Sequence, residues 1–283
     1  MEGRFSIILS SYKACIYKRR EGKFLKKRYI ILLLLMLLGS IFILYVPNKV
    51  KSEYNLGVPT VFVHGYKGTY NSFTNLLDRF EANGWGEKRI VYYVSSDGRI
   101  HDYYTEGSNP AYIQIILQNN RASFANSTEW LSKALRHLKK KYGVETVNLV
   151  GHSMGGIIST KYTIEYKEEA YPNVNKLITI GSPFDGIYSE EYFRIHHDAA
   201  AEDLKPNSLA LEMLYRSDFP DRIAVLNIGS SGDAISFPDS VKAISKIVPK
   251  SQLKEVIIED EDLGHSALHE NTRVDKLIRT FLW

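Results

Sequence analysis

Val147-Asn-Leu-Val-Gly-His-Ser-Met-Gly-Gly-Ile-Ile158 is the stretch on which the reading of this chain turns. The apolar run to Val150 leads into Gly151-His152-Ser153-Met154-Gly155, a G-x-S-x-G pattern, and Gly156-Ile157-Ile158 opens a helix. Composition alone yields that pattern about 0.1 times in a chain this long, so its context decides. Strand, sharp turn and helix form a nucleophile elbow, with glycines where side chains would block the turn or hold helix off strand. Ser153 then lies at a helix N-terminus, where free N–H groups and the positive dipole end face any negative charge that develops nearby.

A serine hydroxyl needs a base, and the base an orienting acid, in the chain order Ser, Asp, His for such an elbow. Asp233 follows the predicted strand Ile223 to Ile228 through Gly229-Ser-Ser-Gly232, and His265 follows Lys254 to Ile258 through Glu259-Asp-Glu-Asp-Leu-Gly264. Both positions fall at carboxyl strand ends beside Ser153. Each has a rival. Asp185 follows the preceding strand through Gly181-Ser-Pro-Phe184, and His269 lies four residues past His265, where a capping or packing role is expected. Asp239 reads as the cap of a helix over Ser240 to Val248.

Working outward, short Val- and Ile-rich runs at Thr60 to Val63, Arg89 to Val94, Thr146 to Val150, Lys176 to Ile180, Ile223 to Ile228 and Lys254 to Ile258 predict buried strands. Between them, Phe73, Leu76, Leu77 and Phe80 recur at helical spacing, as do Leu131, Ala134, Leu135 and Leu138, and Val274, Leu277, Ile278 and Phe281. The alternation implies an α/β fold with a mainly parallel sheet flanked by helices on both faces. Two stretches break it and read as insertions: Ser95 to Asn120, with extra strands at Arg99 to Thr105 and Ala111 to Leu117, and 186–222, a candidate lid that contains His196-His197-Asp198 and the apolar stripe Leu209 to Tyr215. The first strand ends in His64-Gly-Tyr-Lys-Gly68, where a glycine lets the backbone turn its amides inward. The N–H groups of Tyr66 and Met154 are the expected oxyanion hole, and His64 an orienter of the loop.

The 283 residues are 44% hydrophobic and 24% charged, which excludes disordered, collagen-like and disulfide-scaffold classes. Residues 1–28 hold nine Lys and Arg against two Glu, a net +7, so the remainder accounts for −3 of the overall +4. The positive charge belongs to a tail, and a nucleic-acid partner is not indicated. From Tyr29 to Asn48 there is no charge, a length that reaches across a bilayer as a helix and lacks the small-residue cleavage pattern of a signal peptide. The reading is a basic cytoplasmic tail over 1–28, an uncleaved transmembrane anchor over 29–48, and an extracytoplasmic domain over 51–283. The single cysteine, Cys15, precedes the span, so no disulfide supports the exported part. His265 and His269 have the spacing of a helical metal pair but no accompanying glutamate of the H-E-x-x-H kind; no G-x-G-x-x-G or P-loop occurs, and neither metal nor cofactor is implied.

These residues together resemble the α/β-hydrolase superfamily, most closely its predicted cell-surface hydrolases from Gram-positive bacteria. The similarity runs from about residue 58 to 283 on Val63-His-Gly-Tyr-Lys-Gly68, Gly151-His-Ser-Met-Gly-Gly156, Ile180-Gly-Ser-Pro-Phe184, Asp233, and His265-Ser-Ala-Leu-His-Glu-Asn271. Where many members carry glycine directly after the acid, this chain has Ala234. The resemblance implies an α/β-hydrolase fold, a Ser153, Asp233, His265 triad and lipase- or esterase-like activity on a small-molecule or lipid ester. An acyltransferase using the same triad, and a non-catalytic surface binding module on a hydrolase scaffold, are the other classes in play.

Overall fold

The structure, a computed structural model, describes residues 28–37 and 54–283. Contacts divide the chain into Met1–Lys51 and Ser52–Trp283. In the first unit, helix α1 covers 28–37, about 15 Å of helix against a hydrocarbon core of about 30 Å. Among the described residues no helix is long and apolar enough to cross a membrane. The expected span over 29–48 is therefore not met by a described helix: 29–37 lie in α1, and 38–48 lie outside the described residues, as do 1–27 with Cys15.

The second unit runs β1 (Thr60–Val63), α2 (Thr74–Ala82), β2 (Glu87–Val94), β3 (Ile100–Tyr104), β4 (Ala111–Leu117), α3 (Phe124–Tyr142), β5 (Thr146–His152), α4 (Met154–Glu165), β6 (Asn173–Ile180), α5 (Glu190–Ile195), α6 (Ala199–Asp203), α7 (Leu209–Tyr215), β7 (Ala224–Ser230), α8 (Pro238–Lys242), β8 (Leu253–Ile258) and α9 (Thr272–Leu282). Three 3-10 turns, Tyr70–Phe73, Ala243–Lys246 and His265–Glu270, complete it. The eight strands form one sheet in the order β3-β2-β4-β1-β5-β6-β7-β8, parallel throughout except for the β2–β3 pair.

This order corrects the reading of 95–120 as an insertion. β3 is an added antiparallel edge, but β4 lies between β2 and β1 and is buried at every position. Its sequence, Ala-Tyr-Ile-Gln-Ile-Ile-Leu, is the near-continuous apolar run of a strand covered on both faces. The chain reaches it through the β2–β3 hairpin rather than through a helix, which is why alternation hides it. The helix expected over Ser240–Val248 is also shorter: Phe237 is the N-cap of α8, Pro238 its first residue, and Asp239 sits exposed in the first turn, 3.9 Å from Lys242.

Pleating sends alternate β1 residues to opposite cores. Val61 and Val63 pack with α3 and α4 through Leu131, Leu135, Ile157 and Tyr162, while Phe62 packs with α2 and α9 through Leu77, Phe80, Val274 and Ile278. The helices are bounded by the residues that such ends require. Ser123 accepts from Asn126 N–H to start α3, and Gly143 ends it at φ 67°, a left-handed conformation that costs glycine nothing. In the 186–222 segment, Ser189, Asp198 and Ser208 each cap a short helix through the side chain. The stripe over Leu209 to Tyr215 divides: Leu211 and Leu214 are buried, whereas Leu209 and Met213 face solvent.

Candidate active site

The pairing of β5 with β6 extends to His152 against Ile180, and Ser153 N–H then donates to Ile180 C=O at 2.8 Å, so the sheet's own hydrogen bonding runs up to the turn. Ser153 has φ 54° and ψ −129°. A non-glycine residue in this region stores on the order of 1–3 kcal/mol, held there by its surroundings. The glycines explain how it fits. A Cβ on Gly65 would stand 2.8 Å from Ser153 Cβ and from His152 C=O, a Cβ on Gly155 would strike the Val63 carbonyl, and one on Gly151 the Gly155 backbone. The elbow of α4 is thus packed directly onto β1.

Asp233 and His265 meet across the ends of β7 and β8. His265 Nδ1 lies 2.8 Å from Asp233 Oδ2, with Asp233 fully buried. The other carboxylate oxygen, Oδ1, accepts the N–H groups of Ile235 at 2.9 Å and Ser236 at 2.8 Å, which fixes the rotamer. A carboxylate at Nδ1 makes that nitrogen the donor and leaves Nε2 as the basic one. Among the described residues no hydrogen bond joins Ser153 Oγ to His265. Gly181 adjoins the Asp–His pair, since a Cβ there would come within 3.2 Å of Asp233 Oδ2 and 3.5 Å of His265 Cε1, and the residue before it, Ile180, accepts the Ser153 N–H. Asp185, the rival acid, is occupied elsewhere. It accepts from Tyr215 and Tyr188 hydroxyls at 2.9 and 2.8 Å and pairs with Lys246 at 2.6 Å, contacts that hold its carboxyl below the usual range despite partial burial.

His152, the variable residue of the G-x-S-x-G pattern, has a part that its sequence position did not signal. Its Nε2–H donates to the His265 carbonyl at 3.1 Å, and its ring centre lies 4.7 Å from that of His265 in a tilted contact and 4.5 Å from that of His269 edge to face. Burial, reinforced by the two neighbouring imidazoles, pushes its pKa well below 6.5, so it is a neutral strut that carries the His265 turn. His269 packs between His152 and Phe73, as its position suggested, and burial lowers its pKa as well.

His64 Nε2 accepts Leu117 N–H at 3.0 Å, so Nδ1 carries the proton and donates to Gly65 C=O at 2.9 Å. The ring thereby ties the loop after β1 to β4, and burial holds it neutral. In that loop Lys67 N–H donates to Asn120 C=O and Gly68 N–H to Gly65 C=O, while among the described residues the Tyr66 N–H has no backbone acceptor. Met154 opens α4, where a first-turn N–H has no intrahelical partner. Among the described residues, no group of three His, Cys, Asp or Glu side chains is arranged to hold a metal ion.

A mainly parallel eight-stranded sheet with a strained serine between β5 and α4, and an Asp–His pair beyond β7 and β8, defines an α/β hydrolase. More particularly, the chain belongs to the family described as alpha/beta hydrolase of unknown function (DUF915), whose model matches residues 47–283. Two crystal structures share the fold. The lin2722 gene product of Listeria innocua superposes with a TM-score of 0.64 at 23% identity over 80% of this chain and 93% of that one. A Lactobacillus plantarum protein described as a cell surface hydrolase gives 0.61 at 21% identity over 81% and 90%. In sequence, the chain is 24% identical over 196 residues to a GPI inositol-deacylase of Candida albicans; the match takes in 67% of this chain but spans only 42% of that relative.

Proposed function

We propose that this α/β hydrolase cleaves carboxylic esters outside the cell, with Ser153 as nucleophile, His265 as base and Asp233 as its orienting acid, on a domain over 51–283 anchored by residues 29–48. The observation that carries the reading is the 2.8 Å contact between His265 Nδ1 and the fully buried Asp233 carboxylate beside an elbow serine at φ 54°. In the reaction His265 Nε2 takes the Ser153 proton as Oγ attacks the ester carbonyl, and the Tyr66 and Met154 amides receive the oxyanion. Collapse of the tetrahedral adduct breaks the C–O bond, and the alcohol leaves with the proton from His265. Water, deprotonated by His265, then releases the acid. His152 and His269, kept neutral by burial, add no positive charge, so the imidazolium formed in each half-reaction is balanced by Asp233. The likeness to a protein named GPI inositol-deacylase makes fatty acyl esters of polyhydroxylated, glycolipid-type alcohols the first substrates to try.

The test is labelling of the purified full chain in detergent with a fluorophosphonate probe. Wild type is expected to label, and Ser153→Ala and His265→Ala, shown folded by circular dichroism, are not; ester turnover in Ser153→Ala is expected to fall by roughly 10⁶-fold. A folded wild type that stays unlabelled from about pH 6 to 9 would replace the catalytic reading with that of a binding module.

A further inference from the structure

The side chain of Tyr66 has a role separate from its backbone. Its hydroxyl donates to Asp198 Oδ2 at 2.6 Å, across 132 residues of sequence, and Asp198 lies in the candidate lid. The same ring stands 6.0 Å from Tyr192 and 5.3 Å from His196, so the end of α5 and the turn after it are folded around the phenol. The neighbouring residue repeats the contact, with Lys67 Nζ 3.1 Å from His196 Nδ1. Asp198 is at the same time the N-cap of α6, its Oδ1 accepting Ala201 N–H at 3.1 Å, and it pairs with Arg121 at 3.4 Å. One carboxylate therefore starts a lid helix and grips the loop that holds a proposed oxyanion donor.

The opposite side of that loop is fixed differently. Asn120 accepts Lys67 N–H through its carbonyl and donates its side-chain amide to Gly68 C=O at 2.8 Å. The lid is joined to the same stretch by Ala200 N–H to Arg121 C=O at 3.1 Å and by Asp203 Oδ2 accepting Phe124 N–H at 2.7 Å. Residues 64–68, 119–124 and 192–203 thus form one three-part clasp in which the part-buried Tyr66–Asp198 bond with its surrounding rings, and the exposed Lys67–His196 contact, join the lid directly to the oxyanion loop. Burial among these groups, with the Asp198 charge, pushes the phenol's pKa far upward, so it remains a donor at every working pH.

Resting on the assignment of the Tyr66 N–H to the oxyanion hole, we infer that the Tyr66 phenol is a positioning group that latches the lid to the oxyanion loop, so that lid docking and alignment of that N–H occur together. The physical ground is that the latch and the donor belong to one residue. A displacement of the loop backbone that misplaces the Tyr66 N–H also pulls the phenol off Asp198 and away from Tyr192 and His196, so those contacts resist it, and misplacement of a catalytic group by about 1 Å costs as much as 10²-fold in rate.

The test compares wild type, Tyr66→Phe, Asp198→Ser and the double variant as full chains. Phenylalanine keeps the ring packing, and serine keeps an N-cap oxygen for α6, so both are designed to fold. Two readouts are taken: kcat and KM on a soluble short-chain ester, and the rate of trypsin cleavage after Arg194 and Arg216 within the lid. Each single variant is expected to lose about tenfold in kcat with KM nearly unchanged and to be cut several-fold faster in the lid; the double variant is expected to be no worse than the poorer single, because both break the same bond. Wild-type kcat in either single variant, or losses that multiply in the double, overturns the latch and leaves the hydrolase reading standing. If wild type neither labels with the fluorophosphonate nor turns over, the hydrolase reading fails on its own, and so does the coupling of the latch to chemistry. Unchanged trypsin cleavage in the variants overturns the latch whatever the activity.

Discussion

Asp185 and Asp233 occupy equivalent places, each a few residues past the carboxyl end of adjacent parallel strands and each reached through a turn that begins with Gly or Ser. Their surroundings separate them. Asp233 is fully buried and has His265 and two backbone amides as partners. Asp185 is partly exposed and is shared among Tyr188, Tyr215 and Lys246, groups from the lid and from the turn after α8. The glycines make the same division. Gly181, at φ 54°, backs onto Asp233 and His265, whereas Gly186, at φ 89°, backs onto the lid residue Pro206. The comparison teaches that strand-end position nominates two acids, and that burial against a histidine, with no Lys or Arg paired to it among the described residues, is what favours the proposal of Asp233.

The sharpest way to break the comparison is Asp233→Asn. The amide oxygen is expected to stay with the Ile235 and Ser236 N–H groups, which places the –NH₂ where Oδ2 now meets His265 Nδ1. Two donors cannot share that contact, so the imidazole is driven to the tautomer with its proton on Nε2, and the base at Ser153 is lost. The expected fall in kcat is about 10⁴-fold with little change in fold, the scale seen when the acid of such a triad is made neutral. Steady-state ester hydrolysis checks it, and activity within tenfold of wild type would remove Asp233 from the role.

Asp185→Asn is the matched variant, and its expected effect is smaller and of another kind. Turnover is expected within about threefold of wild type, because none of its partners reaches His265. Stability is expected to fall by about 1 kcal/mol, since the Lys246 pair is about half exposed and solvent screens it. For a domain of this size that is a drop in Tm of about 2–4 °C, read by calorimetry or thermal circular dichroism.

What the sequence discloses follows the range over which a signal acts. The elbow was legible because strand, glycines and helix are contiguous from Val147 to Ile158, and the preference for Asp233 and His265 because the chain order of a triad restricts where each can fall. The strand over Ala111–Leu117 was legible but its place inside the sheet was not, because its neighbours β2 and β1 are separated from it by a hairpin and by about fifty residues, so no local alternation marks it. His152 sat in the quoted motif, yet its partner is a backbone carbonyl 113 residues away, and a carbonyl has no sequence identity. The Tyr66–Asp198 bond is hidden for the same reason, since nothing near His196-His197-Asp198 distinguishes a solvated acidic residue from one that grips a distant phenol.

The smallest expected effect is in the pH dependence of stability, and it separates the two aspartate regions once more. Around the proposed triad, burial holds His64, His152 and His269 below the ordinary value of 6.5. Between the lowered folded-state values and 6.5 the unfolded chain binds more protons than the folded one, so stability rises with pH through that window, is full above it, and declines as pH drops beneath about 6.5. Asp185 behaves oppositely in origin: its folded-state value lies below the ordinary 3.8, so its contribution is present above 3.8 and is lost as pH falls through the lower folded value. Thermal melts of wild type from about pH 8 downward are therefore expected to show a first decline beginning near 6.5 and a second below 4. In Asp185→Asn the first decline is expected unchanged and the second reduced. A first decline that weakened along with the second would mean that the lid carboxylate and the buried histidines are one electrostatic unit, and the separation drawn between the two strand ends would fail.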